Sequence, residues 1–317
     1  NFDGEMGLAT IHTINTVFEN NTAKEGGAVW VNRLLNFKIS DSTFYGNEAL
    51  ENGGALKISS ADGTISSISV EDTTMTENIA GGRGGAMATQ LMKVRLQAST
   101  LSKNSAGIGG GGLYAFSSTA IVNDATTFHQ NYGGAEQGSG GGAMRVESCV
   151  SPGIRLYGAN FTQNYGINQA EGGAIKSDSC ALLLSECGMH LNYAGFGGAV
   201  ALSSSSSVTT FTSTTLEGNK ALAYESTGGD GGALYCLNCG VLKIQDKQDI
   251  SAGVIERTRV VRNSAERDGG AFWIQSAQLE LESIKYISNT AERGGGGAIF
   301  WSPSSFDHKT YVPTVPV

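Results

Sequence analysis

The chain has 317 residues, with 45 glycines, only 4 prolines and a charged fraction of 16 %, which is below the roughly 25 % of an average domain. Its formal net charge of −8, without any cluster of Lys and Arg, argues against nucleic acid as a partner, because phosphates require a basic surface. No apolar run reaches the roughly 18 residues of a transmembrane helix, and a hydrophobic fraction of 40 % argues against disorder.

A two-part motif recurs ten times along the chain. Its first part is a large apolar residue followed three positions later by Asn, and the ten asparagines are Asn21, Asn47, Asn78, Asn104, Asn131, Asn164, Asn192, Asn219, Asn263 and Asn289. Its second part is Gly-Gly-Ala, once Gly-Gly-Leu, and begins at Gly26, Gly53, Gly84, Gly111, Gly141, Gly172, Gly197, Gly231, Gly269 and Gly296. Ten paired copies in register indicate a repeat architecture.

The residues between the motifs indicate the fold. Apolar residues alternate with a step of two, as in Leu56 and Ile58, which is typical of strands. A further apolar column lies eight residues before each Asn and includes Ile255, while Asn123 interrupts it. No leucine-rich frame recurs. We therefore predict an all-β protein, a single right-handed parallel β-helix (solenoid) of about ten coils over residues 1–301.

Each motif position has a structural interpretation. We expect the ten asparagines to form an axial ladder in one turn, because Asn tolerates left-handed backbone and its amide both donates and accepts. The glycine pair supplies positive φ where a turn enters a strand. A phosphate-binding interpretation is weak, because the glycines recur in every coil and no Lys-Ser/Thr follows them.

The paired motifs, such as Phe44-x-x-Asn47 followed by Gly53-Gly54-Ala55, resemble the repeats of chlamydial polymorphic membrane proteins. The resemblance extends from Phe18 to Ile299. It implies a surface-exposed β-helix, and therefore an extracellular or cell-surface location and a role in adhesion.

Two sequons, at Asn20 and Asn160, lie at positions that we expect to face outward, so either can accept a glycan in a eukaryotic source. Cys149 and Cys180 each lie eight residues after a motif glycine in adjacent coils, which predicts a cross-coil disulfide and an oxidising compartment.

The other three cysteines have less specific interpretations. Cys236 and Cys239 form a C-x-x-C, for which a local disulfide or two thiols is favoured over a zinc site because no nearby His completes the ligand set. Cys187 falls in a column of small inward residues, which predicts a buried, inert thiol.

We find no sequence pattern that indicates catalysis. The acid pairs Glu71/Asp72 and Glu280/Glu282 are typical of solvated positions, and the four histidines lie in different coils or outside them. We expect no enzyme activity, no metal and no cofactor. A polysaccharide lyase or hydrolase remains an alternative because many parallel β-helices have such activity, and a non-catalytic glycan-binding module is a second alternative.

The column four residues after the first motif glycine is predicted to face outward. It reads Trp30, Lys57, Ala88, Ala115, Arg145, Lys176, Ala201, Tyr235, Trp273 and Phe300. Three successive aromatic residues at its end (Tyr235, Trp273 and Phe300) indicate a contact surface for another subunit, with head-to-tail or lateral assembly, or for glycan. The alternative is that the insertion near Lys243 or the proline-containing tail folds back and covers them.

Interruptions of the repeat are further candidates for partner contact. They follow Asn131, Asn164 and Asn219, and the largest lies between Cys236 and Val260, near residues 243–251. Residues 302–317 lose the repeat and contain three prolines, which predicts an extended tail or linker. The chain begins at Asn1 without a signal-like segment, so we interpret it as a processed or partial product of a longer chain.

Overall fold

A computed structural model describes residues 10–32, 36–60, 66–123, 125–203, 208–225, 227–249, 254–256 and 258–303. In these ranges the chain forms strands and turns without a helix. Apart from two antiparallel hairpins, the strands pair in parallel with their equivalents in the next coil. The predicted all-β, parallel β-helix of about ten coils is therefore confirmed. The coils are numbered 1 to 10 here by their motif asparagines, from Asn21 to Asn289.

Two sheets follow the glycine motif in each coil. Sheet I contains Val29–Asn32, Leu56–Ser59, Met87–Gln90, Leu113–Phe116, Met144–Glu147, Ile175–Asp178, Val200–Ser203 and Ile299–Ser302. Sheet II contains Thr10–Ile14, Asn36–Ser40, Ser66–Glu71, Met92–Gln97, Thr119–Val122, Ile154–Tyr157, Leu182–Ser185 and Val208–Thr212. Two longer strands, Leu234–Gln245 and Phe272–Leu281, run through both sheets.

Two sheets surround the motif asparagine. Sheet III precedes it and contains Val17–Glu19, Thr43–Tyr45, Thr74–Thr76, Thr100–Ser102, Thr127–His129, Asn160–Thr162, Gly188–His190, Thr215–Glu217, Arg259–Val261 and Lys285–Ile287. Sheet IV follows it with two-residue strands, which are Thr22–Ala23, Glu48–Ala49, Ile79–Ala80, Ser105–Ala106, Tyr132–Gly133, Tyr193–Ala194, Lys220–Ala221, Ser264–Ala265 and Thr290–Ala291. Tyr165 bridges its two halves through Tyr132 and Tyr193.

Single residues with left-handed backbone form the corners of each coil. They lie six residues before the Asn, one residue before it, and at the first motif glycine, with φ between +46° and +71° at the described positions. One residue in this region turns the chain from one sheet into the next without a longer loop. The second residue of the Gly-Gly pair must be glycine for a different reason, which is close packing between coils. A Cβ on Gly54 would lie 2.0 Å from the carbonyl oxygen of Gly85 in the next coil.

The core is a stack of equivalent side chains along the axis. The apolar residue three positions before each Asn is fully buried in coils 2 to 9, and the rings of Phe128 and Phe161 stack with centroids 4.8 Å apart. That distance is the spacing of adjacent strands, so each core residue contacts its own copies. The small column five residues before the Asn is buried as expected, for example Ser99 and Thr214 at 0 % exposure.

Three details of the predicted register are wrong. The first glycine of coil 4 is Gly110, not Gly111, because Met87 pairs with Leu113. Val122, not Asn123, occupies the column eight residues before the Asn in coil 5, because the following corner holds an extra residue.

The third error concerns Ile255, whose place in that column is taken by Ile244. Because the regular sheet continues through Lys243, the large insertion starts later than predicted. It contains an antiparallel hairpin of Lys247–Asp249 and Val254–Glu256. The insertion after Asn219 also forms a hairpin, of Ala223–Tyr224 and Thr227–Gly228. Most of the predicted tail, residues 304–317, lies outside the described residues.

Candidate functional site: a tyrosine groove and a covered sheet face

The ten motif asparagines form one hydrogen-bonded column. The Oδ1 atom of Asn78 accepts from both the backbone N–H and the side-chain Nδ2 of Asn47, at 3.0 and 2.9 Å. The Nδ2 of Asn78 donates in turn to Asn104 and to the carbonyl of Phe44. The same three bonds recur at each step from Asn21 to Asn289. This column is structural, because in coils 2 to 9 its members are 0 % exposed.

The outward column of sheet I is not exposed in its middle, which corrects the sequence prediction. Ala88, Arg145, Lys176 and Ala201 are all buried. The member from coil 4 is Tyr114, which pairs with Ala88 and Arg145, so Ala115 does not belong to this column and faces the core. The cationic side chains in the column are therefore not a solvated face.

Residues 134–140 cover this part of sheet I. The carbonyl oxygen of Gly138 accepts hydrogen bonds from Arg145 Nη1 at 2.7 Å and from Lys176 Nζ at 2.8 Å. Arg145 Nη1 also donates to the carbonyl of Ile108. The insertion after Asn131, which the sequence suggested as a partner-binding loop, is thus bound to its own sheet by two buried cations.

Acidic side chains balance the two cations. Lys176 lies 3.3 Å from Glu171 and 3.8 Å from Asp178, and Arg145 forms an ion pair with Glu147. Burial by itself raises the pKa of Glu147, but the charge of Arg145 and the 2.8 Å hydrogen bond from Tyr114 outweigh it, so the pKa of Glu147 is lowered. Each of the two cations is thus paired with carboxylates, which suits a structural clamp.

The aromatic end of the same column is half-buried. Tyr235 stacks on Trp273 with ring centroids 4.6 Å apart, and Trp273 stacks on Phe300 at 6.2 Å. Phe196 contacts the other side of Tyr235 at 5.1 Å. The three predicted interface residues are therefore brought together in one stack, with part of each ring accessible.

A second aromatic column, which the sequence analysis missed, forms a groove of about 780 Å³ on the outside of sheet IV. Tyr132, Tyr165 and Tyr193 each follow a motif Asn directly, and their ring centroids are 5.3 and 5.1 Å apart. The left-handed corner before the Asn supplies the other wall, made of Lys103, Gln130, Gln163 and Leu191. Tyrosine immediately after the motif Asn in three successive coils was the sequence signal for it.

The groove combines polar and apolar surface and carries little charge. Gln130 donates to Gln163 at 3.1 Å, and Lys103 lies 3.7 Å from Glu77. Burial raises the pKa of Tyr132 and of Tyr193, so their hydroxyls remain protonated donors. No described residue hydrogen-bonds to the three phenol hydroxyls. Side chains with unused donors along a groove are a general feature of binding sites.

The structure contains two disulfides. Cys149 and Cys180 are bonded between coils 5 and 6, and Cys236 is bonded to Cys239 where the strand Leu234–Gln245 passes from sheet I to sheet II. Cys187 is a free, buried thiol, and burial raises its pKa to about 12. Such a thiol stays neutral and does not act as a nucleophile.

The two predicted glycosylation sites lie at the surface, and the two acid pairs lie in different parts of the molecule. Asn20 and Asn160 are both exposed, in coils 1 and 6. Glu71 pairs with Lys38, and Glu280 pairs with Lys243 in a different part of sheet II. In the described ranges no three His, Cys, Asp or Glu side chains are grouped as a metal would require.

Comparison with known proteins identifies the repeats. A family model for the chlamydial polymorphic membrane protein repeat matches residues 15–32 and 213–237. These segments contain the motif asparagines of coils 1 and 8. The protein is a parallel β-helix with repeats of the polymorphic membrane protein type. No curated protein and no solved structure matches the chain.

These repeats fit a surface, adhesin-like protein, because the family is one of surface membrane proteins. Among the described residues no helix is long and apolar enough to cross a membrane.

Proposed function

We propose that the protein is an extracellular rod displayed at a cell surface, where its outer faces mediate adhesion. The observation that carries this proposal is the polymorphic membrane protein repeat at two well-separated places in a continuous β-helix. The two disulfides support an oxidising compartment outside the cytosol. The exposed sequons Asn20 and Asn160 are candidate glycan attachment sites in a eukaryotic source.

The location is tested by labelling intact source cells with an antibody against the purified chain. We expect labelling without permeabilisation, and loss of the signal after brief protease treatment of the intact cells. A cytosolic protein labelled in parallel controls for leakage. Labelling that requires permeabilisation would contradict the proposal.

Adhesion is tested with beads coated with the purified chain. Coated beads should attach to cells more than beads coated with the same chain after unfolding and alkylation. Equal attachment of both beads would remove the adhesive part of the proposal while leaving the surface location intact.

We also propose that the rod assembles head to tail with further copies. In coil 1 the Oδ1 of Asn21 accepts no hydrogen bond from a described residue, and in coil 10 the backbone N–H of Asn289 donates none. A second copy stacked in register would join these two groups as every internal step joins them. It would also place Trp30, 61 % exposed in coil 1, against Phe300 in coil 10.

Assembly is tested by replacing both Trp273 and Phe300 with Ser and measuring sedimentation. Loss of higher-order species with an unchanged monomer melting temperature supports the interface. Trp30→Ser should also reduce assembly if the contact is head to tail, whereas a lateral contact through Tyr235 and Trp273 would not require Trp30. Unchanged assembly with a less stable monomer would show that the stack serves only the fold.

We propose no catalytic activity. The acidic side chains nearest to the buried cations, such as Glu147 and Glu171, are held in ion pairs with Arg145 and Lys176. Turnover of any polysaccharide by the purified chain, lost when one carboxylate is replaced, would overturn this proposal.

A further inference from the structure

We propose that the groove formed by Tyr132, Tyr165, Tyr193, Gln130 and Gln163 binds a linear, uncharged polysaccharide that lies parallel to the β-helix axis across coils 4 to 7. The inference rests on the proposed adhesive function for its biological role, and it names the ligand class of that function. The groove itself is an independent structural feature.

The repeat of the groove suits a polymer with a short, regular unit. Coils 5 to 7 each contribute one tyrosine, and successive ring centroids are 5.3 and 5.1 Å apart. An extended pyranose chain advances by a similar step for each sugar, so successive sugars can each meet one of the three tyrosines. The three rings are partly exposed, so each offers apolar surface along the groove to the apolar side of a sugar.

The polar groups match sugar hydroxyls. The carboxamides of Gln130 and Gln163 are exposed, and each offers donors and an acceptor on one side of the tyrosines. The phenol hydroxyls, which no described residue binds, add one neutral donor for each coil. Hydroxyls on adjacent sugar carbons both donate and accept, which is the pattern that alternating phenols and amides recognise.

Two other ligand classes fit less well. A polyanion would need unpaired cations, but Lys103, the cation lining the groove, faces Glu77 at 3.7 Å. A peptide added as a strand would need a free sheet edge. The backbone N–H groups of Tyr132, Tyr165 and Tyr193 already donate to Asn104, Asn131 and Asn164 in the preceding coils.

The length of the groove predicts the size of the bound segment. The tyrosine column is bounded by Ser105 in coil 4 and by Lys220 in coil 8. Three steps of about 4.8 Å separate coils 4 and 7, which accommodates roughly four sugars. Chains shorter than this should bind more weakly, because they cannot contact the whole length of the groove.

The experiment is calorimetric titration of the full chain with hexasaccharides of cellulose, chitin, β-mannan and xylan, up to millimolar concentration. At least one should bind, and Tyr165→Ala should weaken it about tenfold because the central ring is lost. Tyr165→Phe, which keeps the ring, should reduce the affinity several-fold less than Tyr165→Ala does. Gln163→Ala should also weaken binding.

Tyr45→Ala is the matched control, because Tyr45 is a partly exposed tyrosine on sheet III of coil 2, outside the groove. It should leave the affinity unchanged. The melting temperature of every variant shows whether the coils remain folded. The inference is overturned if no hexasaccharide binds the wild-type chain, or if Tyr165→Ala and Tyr165→Phe bind as tightly as wild type. Surface labelling and bead attachment that persist in Tyr165→Ala would show that the proposed function stands without this groove.

Discussion

The motif asparagine combines two properties that no other side chain offers at this corner. Its carboxamide is short enough to stay inside the turn, and it both donates and accepts along the axis. In coil 6, Asn164 Oδ1 accepts from Asn131, while its Nδ2 donates to Asn192 and to the carbonyl of Phe128. Because the site is fully buried, removing the amide would leave its hydrogen-bonding partners without a replacement from water.

We expect Asn164→Ala to destabilise the protein by about 3 kcal/mol, since an orphaned buried group costs roughly 1–3 kcal/mol. Urea unfolding followed by circular dichroism measures the loss. Asn160→Ala, at an exposed position of the same coil, should change the midpoint little. Equal effects of the two substitutions would contradict a ladder that carries stability.

Glu147 gives a pH dependence with a defined sign. Its pKa in the folded protein lies below the ordinary value of 4.5, so its contribution to stability is present above that value. The contribution is lost as the pH falls through the folded pKa. Glu147→Gln should therefore lower the melting temperature near pH 7, and the difference from wild type should narrow in acid.

The measurement is a series of thermal melts from about pH 7 to about pH 3. Glu136→Gln provides the control, because Glu136 is exposed on the loop that Arg145 and Lys176 hold. A difference between Glu147→Gln and wild type that is constant with pH would show that the carboxylate charge is not what holds the clamp.

At the scale of secondary-structure elements, the strands are connected by tight corners and held together by contacts between coils. Each corner is a single left-handed residue, and non-glycine residues occupy many of them, including Glu77 and Leu191. Such a residue costs roughly 1–2 kcal/mol relative to a right-handed one. The strand pairing and the stacked core between coils offset that cost, which is why the chain tolerates ordinary residues there.

The Cys149–Cys180 disulfide is the covalent link between coils, with 31 residues of sequence separation. Replacing both cysteines with Ala should cost about 3–4 kcal/mol by the chain-entropy estimate for a loop of this size. The disulfide between Cys236 and Cys239, which are 3 residues apart, closes a much smaller loop. Replacing both of these cysteines with Ala should therefore cost less stability. Urea midpoints of the two double variants test the order, and the reverse order would contradict it.

At the scale of the whole molecule, stability comes from contacts between neighbouring coils. Every sheet pairs each coil with the next one along the axis, and the two described hairpins are the antiparallel exceptions. In such a solenoid an interior coil has two neighbours and an end coil has one. The end coils show the consequence, because Phe18 and Tyr286 are less buried than the same column in the interior.

Hydrogen exchange should therefore show a gradient along the axis. Backbone amides in coils 4 to 7 should exchange most slowly, and protection should decline towards coils 1 and 10. Exchange followed by mass spectrometry of peptic fragments measures the profile. A flat profile, with all coils opening at one rate, would show that the rod unfolds as a single cooperative unit.

The sequence by itself determined the fold, because the repeat encodes it ten times. The Asn column, the glycine pair and the step of two between apolar residues each fix a local geometry, and only a parallel β-helix satisfies all three in every coil. The cysteine pairing followed for the same reason, since residues at one repeat position lie one strand spacing apart. One register error arose at Gly110, where a run of four glycines hides which of them begins the motif. The other two arose at Val122 and Ile244, where the number of residues in a coil changes and counting from one motif no longer locates the next strand.

Only the tertiary structure decided which outward positions are accessible. The alternation of inward and outward side chains along each strand correctly placed Arg145 and Lys176 outside the core. That alternation contains no information on residues 134–140, which fold across them. The groove was missed for a related reason: its walls come from positions on both sides of a buried Asn in four coils, and their convergence depends on the corner geometry. Repeats determine what faces the axis, whereas insertions and corners determine what a partner can reach.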